Sequence, residues 1–156
     1  MPGQSFRKGD FMKAKDLIAK KGSDVYTGSA SHTVKEALDN LLKYKVGAMV
    51  IIDEAKKPIG IITEKDILRL AGQHENWKEM IVAETMTKDL IIGLPEDELE
   101  YIMSLMTLNR FRHLPIMNEG ELAGIISIGD IVKSQLKNIK AENRHLSDYI
   151  MGKYPA

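Results

Sequence analysis

Two spacings in this chain put a hydroxyl three positions before a carboxylate: Thr63-x-x-Asp66 and Ser127-x-x-Asp130. Each follows an apolar β-branched run and opens a helical pattern. A hydroxyl at a helix start accepts a backbone N–H three residues on, and an acid there reaches back, which makes a capping box. The same carboxylate can accept both hydroxyls of a ribose. Asp is shorter than the Glu or Gln that closes a capping box well, and the two roles are compatible. A third cluster is basic: Arg110-Phe111-Arg112-His113-Leu114-Pro115. A guanidinium offers phosphate a forked pair of donors, and an imidazole adds another. On the plainer reading, the arginines are solvated at a helix-to-strand corner and His113 is partly buried.

These motifs occupy matching places in a repeat. Gly60-Ile61-Ile62-Thr63-Glu64-Lys65-Asp66-Ile67 returns as Gly124-Ile125-Ile126-Ser127-Ile128-Gly129-Asp130-Ile131. Upstream, Val34-Lys35-Glu36-Ala37-Leu38 matches Leu99-Glu100-Tyr101-Ile102-Met103. The offset is 65 at the first pair (99 − 34) and 64 at the later one (124 − 60), because one loop is shorter in the second copy. Two copies of one unit stack, bury a shared face and leave a cleft between them. Two carboxylates should then flank that cleft.

The elements that position them follow from periodicity. Ala14–Lys20 is a short helical pattern stopped by Gly22, and Val25-Tyr26-Thr27 is a brief strand. Val34, Ala37, Leu38, Leu41 and Leu42 mark a helix over Thr33–Tyr44. Ala48–Asp53 and Ile59–Thr63 form a hairpin around Lys56-Lys57-Pro58, and a helix follows to about Gly72. The second copy gives a strand at Leu90-Ile91-Ile92 and a helix over Pro95–Leu108, whose early acids suit a helix N-terminus. His113–Asn118 and Leu122–Ser127 flank a turn at Glu119-Gly120-Glu121. A last helix is expected from about Ile128 to Ile150, longer than its counterpart. Pro115 has no N–H for a neighbouring strand, so it belongs at an edge, where its ring could pack on a planar base.

A strand-helix-strand-strand-helix unit in tandem, each copy ending in Gly-apolar-apolar-(Thr/Ser)-x-x-Asp, resembles a pair of cystathionine β-synthase (CBS) domains of the stand-alone bacterial or archaeal type. The resemblance covers about Ala14 to Val132. It implies an α+β fold, two β-α-β-β-α repeats about a pseudo-two-fold axis, with a long C-terminal helix. It also implies a cleft for adenosyl ligands: AMP, ADP, ATP, S-adenosylmethionine or NAD. Asp66 and Asp130 would hold ribose, with Thr63 and Ser127 near ribose or phosphate. Adenine would lie beside the short strands, near Val25, Tyr26, Ile91 and Ile92. Relatives with an Arg-His-Leu-Pro stretch place the basic pair on phosphate, which puts Arg112 and His113 there. The copies differ at these places. Arg112-His113 align with Gly47-Ala48, Thr27 with Ile92, and Lys65 with Gly129. Thr27 and Lys65 therefore join the candidate ligand residues in one copy only, and the two sites should be unequal.

The expected divisions are a flexible leader at 1–12, repeats at 13–72 and 82–133 joined by a linker at 73–81, and an extension at 134–156. Met12 could be a native start. Lys+Arg and Asp+Glu both number 22, so the chain lacks the broad positive field of a nucleic-acid binder. There is no cysteine, which removes disulfides and thiolate metal sites and permits the cytosol. No apolar run is long enough to span a membrane. The four histidines are scattered without metal-ligand spacing. Neither a Walker loop nor G-x-G-x-x-G is present, and Gly124 to Ser127 is one residue too long for a nucleophile elbow. Val132, Leu136, Ile139, Asn143, Leu146 and Ile150 follow 4-3 spacing. That suits a heptad seam over fewer than three heptads, and, as the plainer reading, an amphipathic helix packed on its own or a partner's body.

The expectation is a cytoplasmic, non-catalytic regulatory module. It would sense an adenine nucleotide (AMP, ADP, ATP or NAD), form a homodimer, and signal to a separate regulated protein, with no catalytic cofactor. A ligand-free interaction module is the alternative. A nucleotide hydrolase is the remotest, because no base, nucleophile and metal set converge in sequence.

Overall fold

The computed structural model describes residues 12–22, 25–137 and 143. The first copy comprises α1 (Ala14–Lys21), β1 (Thr27–Ser29), α2 (Val34–Tyr44), β2 (Ala48–Ile52), β3 (Pro58–Thr63) and α3 (Glu64–Gln73). A 3-10 turn at Trp77–Glu79 leads to α4 (Val82–Thr85), α5 (Leu99–Asn109), β4 (His113–Asn118) and β5 (Glu121–Ser127). Residues 128–137 are helical and form α6, as far as it is described. The heptad residues Ile139, Leu146 and Ile150 lie outside the described residues.

In the first copy β1 runs parallel to β2, which pairs antiparallel with β3. The second copy keeps the β4–β5 hairpin, whose turn residues Glu119 and Gly120 both have positive φ, at 51° and 81°. Left-handed values at both turn positions match the twist of paired strands. No strand forms at Leu90–Ile92; Gly93 pairs with Ile116 as a single parallel bridge. Gly93 donates to the Pro115 carbonyl at 2.8 Å and accepts from Met117 N–H at 2.9 Å. The next bond of that ladder would run from the nitrogen of residue 115 to Ile91, and proline has no hydrogen to give. Pro115 thus lies on the edge of β4 away from β5, and it is buried. Val50 stands in its place in the first copy, so β1 forms.

Gly28 and Gly93 occupy equivalent positions. A Cβ on Gly28 would lie 2.6 Å from Met49 Sδ, and one on Gly93 2.7 Å from Leu114 Cδ2. In each copy the chain crosses a core side chain with room for hydrogen alone.

The cores do not follow the order of the chain. Val34, Ala37, Leu41, Met49, Ile51, Ile62, Ile67 and Leu70 cluster with Val82 of α4. Leu99, Ile102, Met106, Leu114, Ile116, Ile126 and Ile131 cluster with Ala14 and Leu17 of α1. The helix leading into each copy therefore completes the core of the other. Backbone bonds fix both exchanges: Ala14 N–H to Asp97 O and Val82 N–H to His32 O, each 2.8 Å. This corrects the start of α5. The carbonyls of Pro95 and Asp97 accept from α1, so residues 95–98 remain a turn and the helix begins at Leu99. Glu96 serves as an ion-pair partner rather than a helix-start acid. Hydrogen bonds from Lys13 and Lys15, each 2.7 Å, hold its carboxyl down to about 2.

Candidate functional site

Both hydroxyl–carboxylate motifs form complete capping boxes. Thr63 Oγ1 accepts from Asp66 N–H at 3.2 Å, and Asp66 Oδ2 accepts from Thr63 N–H at 2.9 Å. Ser127 Oγ accepts from Asp130 N–H at 3.1 Å, and Asp130 Oδ2 accepts from Ser127 N–H at 2.9 Å. The corner before each box is held alike, by Glu64 N–H to Gly47 O and Ile128 N–H to Arg112 O, both 2.9 Å. A carboxylate has about four lone-pair sites, so capping leaves acceptor capacity.

The second partner differs between copies. Arg69, from the next turn of α3, reaches Asp66 Oδ1 at 3.3 Å. Lys21, from α1, reaches Asp130 Oδ2 at 2.6 Å and also donates to the Ile125 carbonyl at 2.7 Å. Burial works to raise the Asp130 pKa, but the hydrogen bonds from Lys21 and Ser127 outweigh it, and the carboxyl sits below its ordinary value. Asp130 is therefore an anion at neutral pH with an ammonium already beside it.

Around Asp130 lies a cavity of about 200 Å³ built by both copies. The second copy gives His113, Ile125, Ser127 and Asp130; the first gives Val25, the Lys45–Ala48 corner and the end of α1 at Lys21 and Gly22. Of the residues expected at a ligand site, Val25, His113, Ser127 and Asp130 come together here. Thr63, Asp66, Lys65, Tyr26, Thr27, Ile91, Ile92, Arg112 and Pro115 do not line it. Asp66 is buried at the head of α3, Lys65 and Arg112 are exposed, and Ile91 and Ile92 are 40% and 46% exposed. Tyr26 stacks on Tyr44 with ring centroids 3.9 Å apart.

His113 is half-buried, and burial pushes its pKa down, with Glu64 and Asp130 pulling the other way. At neutral pH it is an uncharged imidazole that can donate one N–H. It faces Gly47 across the seam: a Cβ on Gly47 would lie 3.0 Å from His113 Nε2. The lack of a side chain at 47 is what admits the ring.

Lys45, Gly47 and Lys21 are among the wall residues that escaped the sequence reading. Lys45 closes α2 in the left-handed region at φ 55°, and Arg110 closes α5 the same way at φ 57°. That shared basic residue at the repeat offset was a visible signal. Gly47 was visible only as the partner of Arg112. Lys21 carried no signal, because its arrival depends on the exchange of lead-in helices. Among the described residues no group of three or more His, Asp or Glu could hold a metal ion, and no helix is long and apolar enough to cross a membrane.

Two like repeats, the second with a single bridge at Gly93 where the first has β1, exchange lead-in helices and share a polar cavity, and so define a tandem-repeat module. The CBS domain family model matches residues 14–72 and 82–137, and the chain belongs to that family. It is 35% identical over 150 residues to the CBS domain-containing protein CBSX3, mitochondrial, of Arabidopsis thaliana, covering 93% of this chain and 72% of that one. Among solved structures it resembles the CBS-domain protein ATU1752 from Agrobacterium tumefaciens, with a TM-score of 0.78, 37% identity and coverage of 85% and 99%. The fold is also that of the CBS pair of protein MJ0100 in complex with 5′-methylthioadenosine and S-adenosyl-L-methionine, with a TM-score of 0.72, 23% identity and coverage of 84% and 99%.

Proposed function

We propose that the chain is a non-catalytic regulatory module that binds an adenine nucleotide, AMP, ADP, ATP or NAD, between its repeats. The observation that carries this reading is a cavity lined by both copies, with an ionised Asp130 in its wall and His113 at the seam. Asp130 accepts the ribose hydroxyls, sharing its charge with Lys21. Ser127 lies near ribose or phosphate, and His113 with Arg112 serves the phosphate. Val25 and the neighbouring Tyr26 contact the base. Thr63, Lys65 and Asp66 form the weaker second half-site, with Thr27, Ile91, Ile92 and Pro115 around the bases. The MJ0100 complex supports the choice of an adenosyl ligand.

A ligand bound at the seam touches both repeats and so favours one arrangement of them. A second copy of the chain and a separate regulated protein are the partners that read the change. Thermal melting with each nucleotide, and with S-adenosylmethionine, tests the reading. At about 100 times its dissociation constant a ligand adds roughly 2.7 kcal/mol. No shift with any of them at millimolar concentration overturns it.

A further inference from the structure

The space that a Cβ would take at Gly47 is bounded by groups from both repeats. His113 Nε2 of the second copy lies 3.0 Å from it, and Glu64 Oε1 of the first copy 3.3 Å. Glu64 is the first residue of α3, and its N–H bonds the Gly47 carbonyl at 2.9 Å, which ties the start of α3 to that corner. A carboxylate of one repeat thus stands beside an imidazole of the other and acts on it through its charge. The second copy keeps the corner without this arrangement. Its equivalent bond runs from Ile128 N–H to Arg112 O, and Ala48 stands in the place of His113. An acid in the first turn of a helix suits its dipole, but Asp66 already supplies that charge in α3, and Ile128 opens α6 without an acid. Helix stability therefore does not account for Glu64. Five charged groups surround the imidazole: Glu64 from α3, Asp130 from α6, Lys21 from α1, Lys45 from the end of α2, and Arg112 beside it in the chain. Burial outweighs the two acids, so the ring is uncharged at neutral pH. Both acids favour the imidazolium, and a phosphate beside it adds a further anion.

We propose that Glu64 is a positioning residue for His113, and that the pair makes the binding of a phosphate-bearing ligand take up a proton. The inference rests on the reading that sets His113 beside the phosphate. The carboxylate orients one nitrogen of the ring across the seam and steadies its charged form, which leaves the other N–H for a phosphate oxygen. The proton comes from solvent and resides on the imidazole. The module then responds to pH together with nucleotide. AMP binds more tightly, relative to adenosine, as pH falls from about 8 to about 6.5.

Calorimetry of AMP and adenosine binding to the full chain near neutral pH, in two buffers of different ionisation heat, counts the protons taken up. The ligand's own ionisation is common to every variant. The difference between the parent and His113→Gln therefore gives the share of the imidazole, expected at about 0.4 proton per AMP and close to none per adenosine. Glu64→Gln keeps the size of the side chain and removes its charge, and it should lose about half of that share or more. Glu64 is exposed, so the fold should survive, and a melting curve checks it. A second measurement needs no ligand. NMR titration of the His113 ring in the free chain should place its midpoint lower in Glu64→Gln by about half a pH unit or more. A share that Glu64→Gln keeps, or a midpoint that it leaves in place, overturns the role of Glu64. No share lost in His113→Gln overturns the proton uptake. Failure of AMP to bind the parent overturns the phosphate role of His113 and the uptake with it, and adenosine binding then shows whether the nucleoside site stands.

Discussion

Leu17→Ala probes the exchange of lead-in helices. Leu17 is 5% exposed and shares a core with Leu99, Ile102 and Met106, more than eighty positions away along the chain. Truncating a buried leucine costs about 2–5 kcal/mol, from lost transfer free energy and the cavity left behind. The backbone bonds from Ala14 to Asp97, Lys15 to Pro95 and Leu99 to Met12 survive the change, so α1 stays docked and the space cannot close fully. A loss near 3 kcal/mol is expected. At about 2–4 °C per kcal/mol for a chain of this size, the melting temperature should fall by roughly 6–12 °C. Circular dichroism follows the whole fold, and fluorescence of Trp77, which packs against the first copy's core, follows that copy. Leu68→Ala removes the same atoms from a position 75% exposed and should stay within about 0.5 kcal/mol of the parent. Equal, small losses in both variants would refute the place of α1 in the second core.

Gly93→Ala should cost about 1–3 kcal/mol by overpacking, since its Cβ would lie 2.7 Å from Leu114 and 2.8 Å from Ile116; denaturant midpoints read the loss, and a neutral result would mean those side chains yield freely. The pKa of His113 is lowered in the folded chain, so below about pH 6.5 the unfolded chain binds the extra proton and stability falls as pH drops. Melting between pH 7.5 and 5.5 should show that slope in the parent and a shallower one in His113→Gln; an unchanged slope would assign the effect to other groups.

The paired motifs, both hairpins and the α2 stripe were legible because each is local: a cap, a turn or a helical period decides it within a few residues. The limits were set by contacts between distant segments. Ile91 and Ile92 have strand-forming side chains, yet the ladder stops where Pro115 lacks a hydrogen. Pro95 and its acids suit a helix start, yet their carbonyls and Glu96 are engaged by α1. The site shows the same division. Asp130, Ser127 and His113 could be named from spacing, whereas Lys21 reaches Asp130 only because α1 crosses to the other copy. The two motif carboxylates also differ in their surroundings. Asp66 has the local partner Arg69, while Asp130 has a partner from another element and a cavity beside it.

The proposed reading places ribose recognition on Asp130, and titration calorimetry of adenosine and AMP against the parent and Asp130→Asn tests it most directly. Asparagine keeps an oxygen for the Ser127 N–H, so the cap should largely survive, and melting should shift by no more than about 1 kcal/mol. Both ligands should bind the parent, and both should weaken about ten- to a hundredfold in the variant, the worth of a lost charge-assisted contact. Arg112→Ala with His113→Ala, measured alongside, should weaken AMP and spare adenosine. Unchanged adenosine affinity in a folded Asp130→Asn variant would contradict the account and leave Ser127-x-x-Asp130 as a helix cap alone.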